Sequence, residues 1–189
     1  IVDKLKIVYA SNERLIKLVE DFLNLSRIEQ GRMQYDFKPA SLDEITEEVV
    51  VELSEAAKKK GLILLWQKPV PRPPLITLDS SKIHEVIYNL VDNAIKYTQS
   101  GNIKAKVDKS GNFLRLSVSD TGIGFAEEER GRLFERFNRT DQGYRANIQG
   151  HGIGLYVARH IIQAHGGKIW AESPGQYQGS TFCIELPIK

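Results

Sequence analysis

"NLVDNAIKY", Asn89–Tyr97, is mostly apolar and helical in its period, yet it holds two asparagines four residues apart. Asn is a poor helix-interior residue because its amide competes for the backbone, so the pair needs a reason. In a helix predicted from Ser80 to about Thr98, Glu85, Asn89, Asn93, Lys96 and Tyr97 line one stripe. Ile87, Leu90, Val91, Ala94 and Ile95 take the other side and supply core. Amide oxygens beside one ammonium suit a hard cation carrying phosphate: the amides can ligate magnesium directly or through its water, and the lysine faces phosphate oxygens. Taken alone, the stripe is more simply a solvated helix face.

Three glycine-bearing stretches follow that helix. "DTGIG" (120–124) comes straight after a strand-like run. Its Asp120 can accept from an exocyclic amine, and Gly122 and Gly124 permit close backbone approach to a ligand. "GHGIGL" (150–155) sets Gly150, Gly152 and Gly154 at the start of a helix, with His151 between and Leu155 after them. Free N–H groups and the positive end of a helix dipole make an anion site there. It is not the dinucleotide fingerprint, because no buried parallel strand precedes it. "GSTF" (179–182) lies between two strand-like runs and by itself is as readily a hairpin turn.

Further out, the rest of the chain falls into two units. Ile1, Leu5, Val8, Asn12, Leu15, Val19, Phe22, Ser26 and Glu29 alternate by four and three, a heptad seam that asks for partner helices. "GRM" at 31–33 and Pro39 mark its exit, so residues 1–38 form one long helical unit and 39–189 the other. The second unit opens with a capping box, Ser41 at N-cap and Glu44 reaching back, on a helix ended by Gly61. "LILLW" (62–66) reads as strand and "KPVPRPPL" (68–75) as an extended connector. "NIKAKVDK" and "FLRLSVSD" alternate around Ser110-Gly111-Asn112 as a hairpin, and "KIWAES" and "STFCIELPI" form a final antiparallel pair. Helices with mainly antiparallel strands in mixed order give an α+β, two-layer sandwich behind a long N-terminal helix.

Composition bounds the partners. Charged residues make 26% of the 189 and nearly balance at +2, so there is no nucleic-acid footprint. Cys183 is the single cysteine, which rules out an internal disulfide and suits a reducing compartment. No run of about 18 apolar residues spans a membrane. The chain begins at Ile1 inside a helical pattern and reads as a piece of something longer.

In this order, "NLVDNAIKYT", "DTGIG", "LFERF" (133–137), "GHGIGL" and "GSTF" resemble the N, glycine and phenylalanine boxes of sensor histidine kinase ATP-binding domains. These belong to the superfamily that also holds gyrase, Hsp90 and MutL. The resemblance covers about 40–189. "LNLSRIEQGRM" resembles the end of the second helix of the dimerisation and phosphotransfer hairpin. It implies a Bergerat-type fold binding ATP and Mg²⁺, with Asn93 and Asn89 at the ion and Lys96 and Arg139 at the phosphates. Tyr97 would line the nucleotide's mouth, Asp120 would take the adenine amine, and Thr181 would reach the base through water. Residues 125–149 would be a lid anchored by Phe134 and Phe137, and Gly150, His151, Gly152, Gly154 and Leu155 a phosphate cradle.

Asn89 stands where hydrolytic members of that superfamily carry a glutamate base, and an amide cannot take the proton from water. The resemblance therefore implies phosphoryl transfer to a histidine of the hairpin's first helix, in the same or a partner subunit, and relay to a response-regulator aspartate. Catalytic weight would fall on Asn89, Lys96 and Arg139. A motif such as His-Glu-Leu-Arg-Thr-Pro is missing, and "HEVIYN" at 84–89 lacks its second half. Homodimerisation, a cytoplasmic location and membrane attachment of the parent protein follow by analogy. The alternatives are a Ser/Thr kinase or ATPase of the same superfamily, or a non-catalytic nucleotide-binding regulator.

Overall fold

The computed structural model describes residues 2–138 and 152–188. The chain divides into two compact units, 1–34 and 35–189. The first is one helix, α1 (Val2–Glu29). Of its heptad seam, Val8, Leu15, Val19 and Phe22 are exposed.

The second unit is built on the predicted hairpin. β4 (Asn102–Ser110) and β5 (Phe113–Asp120) pair antiparallel through Gly111 and Asn112. Gly111, at φ +60°, is the only one of these two loop residues in the left-handed region, as a type II′ turn needs. Alternation then decides the faces: Ile103, Ala105 and Val107 are buried with Leu114, Leu116 and Val118, and the intervening Lys104, Lys106, Arg115 and Ser117 lie on the other side. β7 (Ser180–Pro187) pairs antiparallel with β5, and β6 (Lys168–Glu172) with β7. β2 (Ile63–Gln67) adds to β4 in parallel, giving the order β2-β4-β5-β7-β6. The last strand in sequence is therefore interior to the sheet.

Among the described residues, three amphipathic helices form the second layer. α2 (Leu42–Lys59) buries Leu42, Ile45, Val49, Val50 and Leu53. α3 (Ser80–Tyr97) buries Ile83, Val86, Ile87, Leu90, Val91, Ala94 and Ile95. α5 (Gly154–Ala164) buries Val157, Ala158, Ile161 and Ile162. The short α4 (Glu127–Arg130) follows β5. A two-stranded ribbon, β1 (Lys38–Ala40) against β3 (Ile76–Leu78), leads directly into α3. Each of its strands is only three residues and the pairing is long-range, so it leaves no local signal in the sequence.

Only half of the predicted capping box forms. The Ser41 hydroxyl accepts from the Glu44 N–H at 3.3 Å. The Glu44 carboxylate instead takes the Arg72 guanidinium from the proline-rich connector, and Arg72 also donates to Asp43 at 3.2 Å. A cation outcompetes a single backbone amide for a carboxylate.

Candidate functional site

The site lies where α3, the turn after β5, the start of α5 and the turn before β7 meet. α3 is capped at its start by Asp79, whose carboxylate accepts from the Lys82 N–H at 3.0 Å, and at its end by Thr98. Asn89 sits midway along it and is only 7% exposed. A Cβ placed on Gly154, the first residue of α5, would lie 3.2 Å from Asn89 Oδ1. The amide therefore faces the N-terminal turn of α5, where helix N–H groups lack intrahelical partners. Asn93, one turn on, is half-buried.

The other end of α3 carries the second part of the site. The Tyr97 carbonyl accepts from the Ile123 N–H at 3.1 Å. A Cβ on Gly122 would come within 2.4 Å of that same carbonyl, so only glycine fits the approach. Gly124, at φ +58°, packs equally tightly on Gly175 and Gly179, its Cβ position 2.3 Å from the Gly175 carbonyl. Gly179 N–H donates to the Gly122 carbonyl at 3.0 Å, and Tyr177 N–H to that of Ile123 at 2.6 Å. Two glycine turns more than fifty residues apart in sequence are thus laced into one loop pair.

Asp120 closes β5 beneath them. Its Oδ1 accepts from the Gly122 N–H at 2.8 Å and its Oδ2 from the Ser180 hydroxyl at 2.6 Å. Burial raises the carboxyl above its ordinary value of 3.8, although the Ser180 and Gly122 hydrogen bonds oppose the shift. The Ser180 N–H also approaches the carboxylate, whose several lone pairs still leave room for a further donor.

Two sequence expectations are corrected. Thr181 points away from Asp120: its hydroxyl donates to Ser119 Oγ at 3.0 Å on the opposite face of the sheet. Ser180 takes the inward place, because it shares a face with Phe182, Ile184 and Leu186, and that apolar alternation in "STFCIELPI" was the signal available. The Leu155 side chain packs with Phe125, Leu133, Phe134, Ala171, Ile169 and Phe182, which leaves its backbone as the part that could meet an anion. Phe134 is anchored in that cluster, edge-on to Phe182, but Phe137 is 56% exposed and at φ +59°. Its N–H donates to the Gly152 carbonyl at 2.9 Å, so it ties the two ends of segment 138–152 through backbone rather than ring.

Lys96 is brought to the site's edge but is engaged: its ammonium pairs with Asp92 at 2.5 Å. Glu85, the acid one turn before Asn89, pairs with Lys82 at 3.1 Å. Arg139, Gly150 and His151 lie outside the described residues. Ser173 was missed altogether. Its hydroxyl accepts from Phe125 N–H and bonds the Gly175 and Gly179 carbonyls, which fixes the turn against the loop after β5.

A helix amide over a helix start, a buried carboxylate and nested glycine turns define a nucleotide-binding class of α+β protein, and the comparisons agree. Residues 78–189, more than half of the chain, match the family described as histidine kinase-, DNA gyrase B-, and HSP90-like ATPase, and the chain belongs to that family. Among its relatives is the circadian input-output histidine kinase CikA of Synechococcus elongatus. It is 32% identical over 185 residues, which are 97% of this chain and 24% of that protein. The chain thus spans about a quarter of that relative's length. Full-length ShkA in complex with AMPPNP has a similar structure, with a TM-score of 0.80 and 27% identity over 94% of this chain and 36% of that one. Histidine kinase ThkA in complex with the response regulator protein TrrA gives a TM-score of 0.71 and 26% identity, over 93% of this chain and 49% of that one.

Proposed function

We propose that this chain is the ATP-binding catalytic part of a sensor histidine kinase, passing the γ-phosphoryl group to a histidine of a phosphotransfer helix for relay to a response-regulator aspartate. The carrying observation is Asn89 facing the start of α5 at Gly154, which supports an amide rather than an acid beside a triphosphate held at that helix start.

Each group then has a task. Asp120 accepts a hydrogen bond from the adenine amino group with its free lone pairs, which favours adenine over guanine. Gly122 and Gly124 let the backbone run beside the base. The α5 N-terminus, with Gly152 and Gly154, meets the phosphates. Lys96 leaves Asp92 for a phosphate oxygen, an exchange of one charge partner for another at the surface. Tyr97 lines the mouth, and Arg139 is the lid cation assigned to the γ-phosphoryl.

The donors present fit magnesium. Asn93 and Asn89 would hold it through amide oxygens, which are hard ligands, and the other positions fall to phosphate and water. Among the described residues no group of three or more His, Cys, Asp and Glu could hold a metal. When bound, the ion supplies charge neutralisation of the transferring group.

Water is a poor competitor at this site. Asn89 cannot act as general base and Glu85 is held by Lys82. Of the histidines described, none suits an acceptor: His84 pairs with Glu52 at 3.2 Å, His160 meets the Tyr156 carbonyl at 3.0 Å, and His165 is buried. The exposed seam of α1 is the surface proposed for homodimerisation through a helical bundle. Among the described residues no helix is long and apolar enough to cross a membrane.

Calorimetry with Mg-ATP tests the reading, paired with a hydrolysis assay and radiolabelled ATP plus a separately supplied phosphotransfer hairpin. ATP uptake, slow hydrolysis and acid-labile label on the hairpin are expected. No uptake, or brisk hydrolysis without a hairpin, overturns it, and acid-stable label would favour a Ser/Thr kinase.

A further inference from the structure

His165, at the C-terminal end of α5, is 6% exposed and plays no part in the nucleotide site. Both ring nitrogens are committed. Nε2 accepts from the Asp79 N–H at 2.9 Å, so it carries no proton, and Nδ1 lies 2.7 Å from the Ile161 carbonyl, so it donates. The ring is therefore the neutral Nδ1–H tautomer.

Around it is a junction of three chain segments. Asp79, the N-cap of α3, is itself buried. Its Oδ2 accepts from the Asp36 N–H at 2.8 Å, and its Oδ1 from Ser81 and Lys82. Tyr35 and Phe37 stack on each other at 5.7 Å, and both meet the His165 ring edge-on, at 5.7 and 4.8 Å. Residues 35–37 are thus gripped by one backbone hydrogen bond and two aromatic contacts, all of which rest on one imidazole and the carboxylate beside it.

The geometry points to a proton-operated latch: neutral His165, with Asp79, clasps the segment 35–38 onto its own unit, and protonation of His165 unclasps it. An imidazolium has no lone pair at Nε2, so the Asp79 N–H loses its acceptor and faces a second N–H instead. The ring is then drawn to the Asp79 carboxylate, which must give up one of the amides it holds. The charged and titratable neighbours that face the ring are Asp79, which favours the cation, and the Tyr35 phenol, with Glu85 acting on Tyr35. Burial dominates and lowers the His165 value below 6.5, against the Ile161 carbonyl and Asp79. Asp79 remains charged: burial raises it, but the Asp36 and Lys82 amides and Ser81 outweigh that and hold it below 3.8. The segment so held connects directly to β1, which pairs with β3 just ahead of Asp79. The latch thus controls where the chain leaves the nucleotide-binding unit.

The test is amide hydrogen exchange on the whole chain from pH 7.5 to 5.0, expressed as protection factors, for wild type and His165→Gln. Gln offers an acceptor near the Nε2 position and does not titrate. Protection at Asp36 and Asp79 is expected to fall at least tenfold in wild type while the core amide of Leu116 holds, and to stay flat in H165Q. Flat wild-type protection, or a parallel fall in H165Q, overturns the latch. Should H165Q fail to fold, an NMR titration of wild type decides. The Asp36 and Asp79 amide shifts must move with the midpoint of the His165 ring, and a ring that titrates without them refutes the proposal.

Discussion

Gly122 and Asp120 show how little room the site leaves at single positions. Gly122→Ala would drive a methyl group to within 2.4 Å of the Tyr97 carbonyl. Backbone cannot retreat as a flexible side chain can, so a loss of about 1–3 kcal/mol is expected in urea denaturation, together with lost nucleotide uptake. Asp120→Asn keeps an acceptor oxygen but loses the charge. A hydrogen bond to a charged group contributes about 1.5–3 kcal/mol, so calorimetry should show ATP affinity down by at least about tenfold and the preference for ATP over GTP reduced. Both residues were legible from "DTGIG" because glycine and aspartate carry their conformational and chemical meaning locally. Thr181 is the residue named from the sequence where Ser180 holds the place, since which of two adjacent hydroxyls faces inward depends on strand phase. That phase is set by Phe182, Ile184 and Leu186 further along the strand.

At the level of elements, what the sequence revealed tracks how local the forces are. The β4–β5 hairpin, α2, α3 and α5 stand close to where periodicity and caps placed them, since period, N-cap and turn glycine all lie within a few residues of one another. The β1–β3 ribbon joins segments about forty residues apart and has no local signature. Glu44 was misassigned because Arg72, which claims it, arrives from 28 residues away. The surviving half of that cap can be measured: Ser41→Ala should cost about 1 kcal/mol in thermal or urea unfolding. Leu116, fully buried at the centre of β5, sets the opposite scale, and Leu116→Ala should cost about 2–5 kcal/mol by the same measurement.

For the molecule as a whole, stability should depend on pH through His165. Its folded value lies below the unfolded 6.5, so the unfolded chain binds the proton first. The stabilisation is complete above 6.5 and is lost as pH falls from there through the folded value. Urea midpoints should therefore decline below pH 6.5 in wild type and be flatter in H165Q. Asp79 adds a second, more acidic window: held below 3.8, it stabilises above that value and is lost as pH falls through its folded one. The two windows are separated, and a titration of unfolding free energy should show the His165 decline opening at pH 6.5, whereas Asp120, raised by burial, gives a slope of opposite sign above 3.8.

The place of β7 has a consequence for how the chain is made. Asp120 and its hydroxyl partner Ser180 are sixty residues apart, and the strand that begins at Ser180 inserts between β5 and β6. A nascent polypeptide halted on the ribosome before that strand emerges would already carry both asparagines and the first glycine turn. It would still have a gap in its sheet and an unclosed purine seat. Competence to hold nucleotide should therefore switch on abruptly, over the span of that single strand.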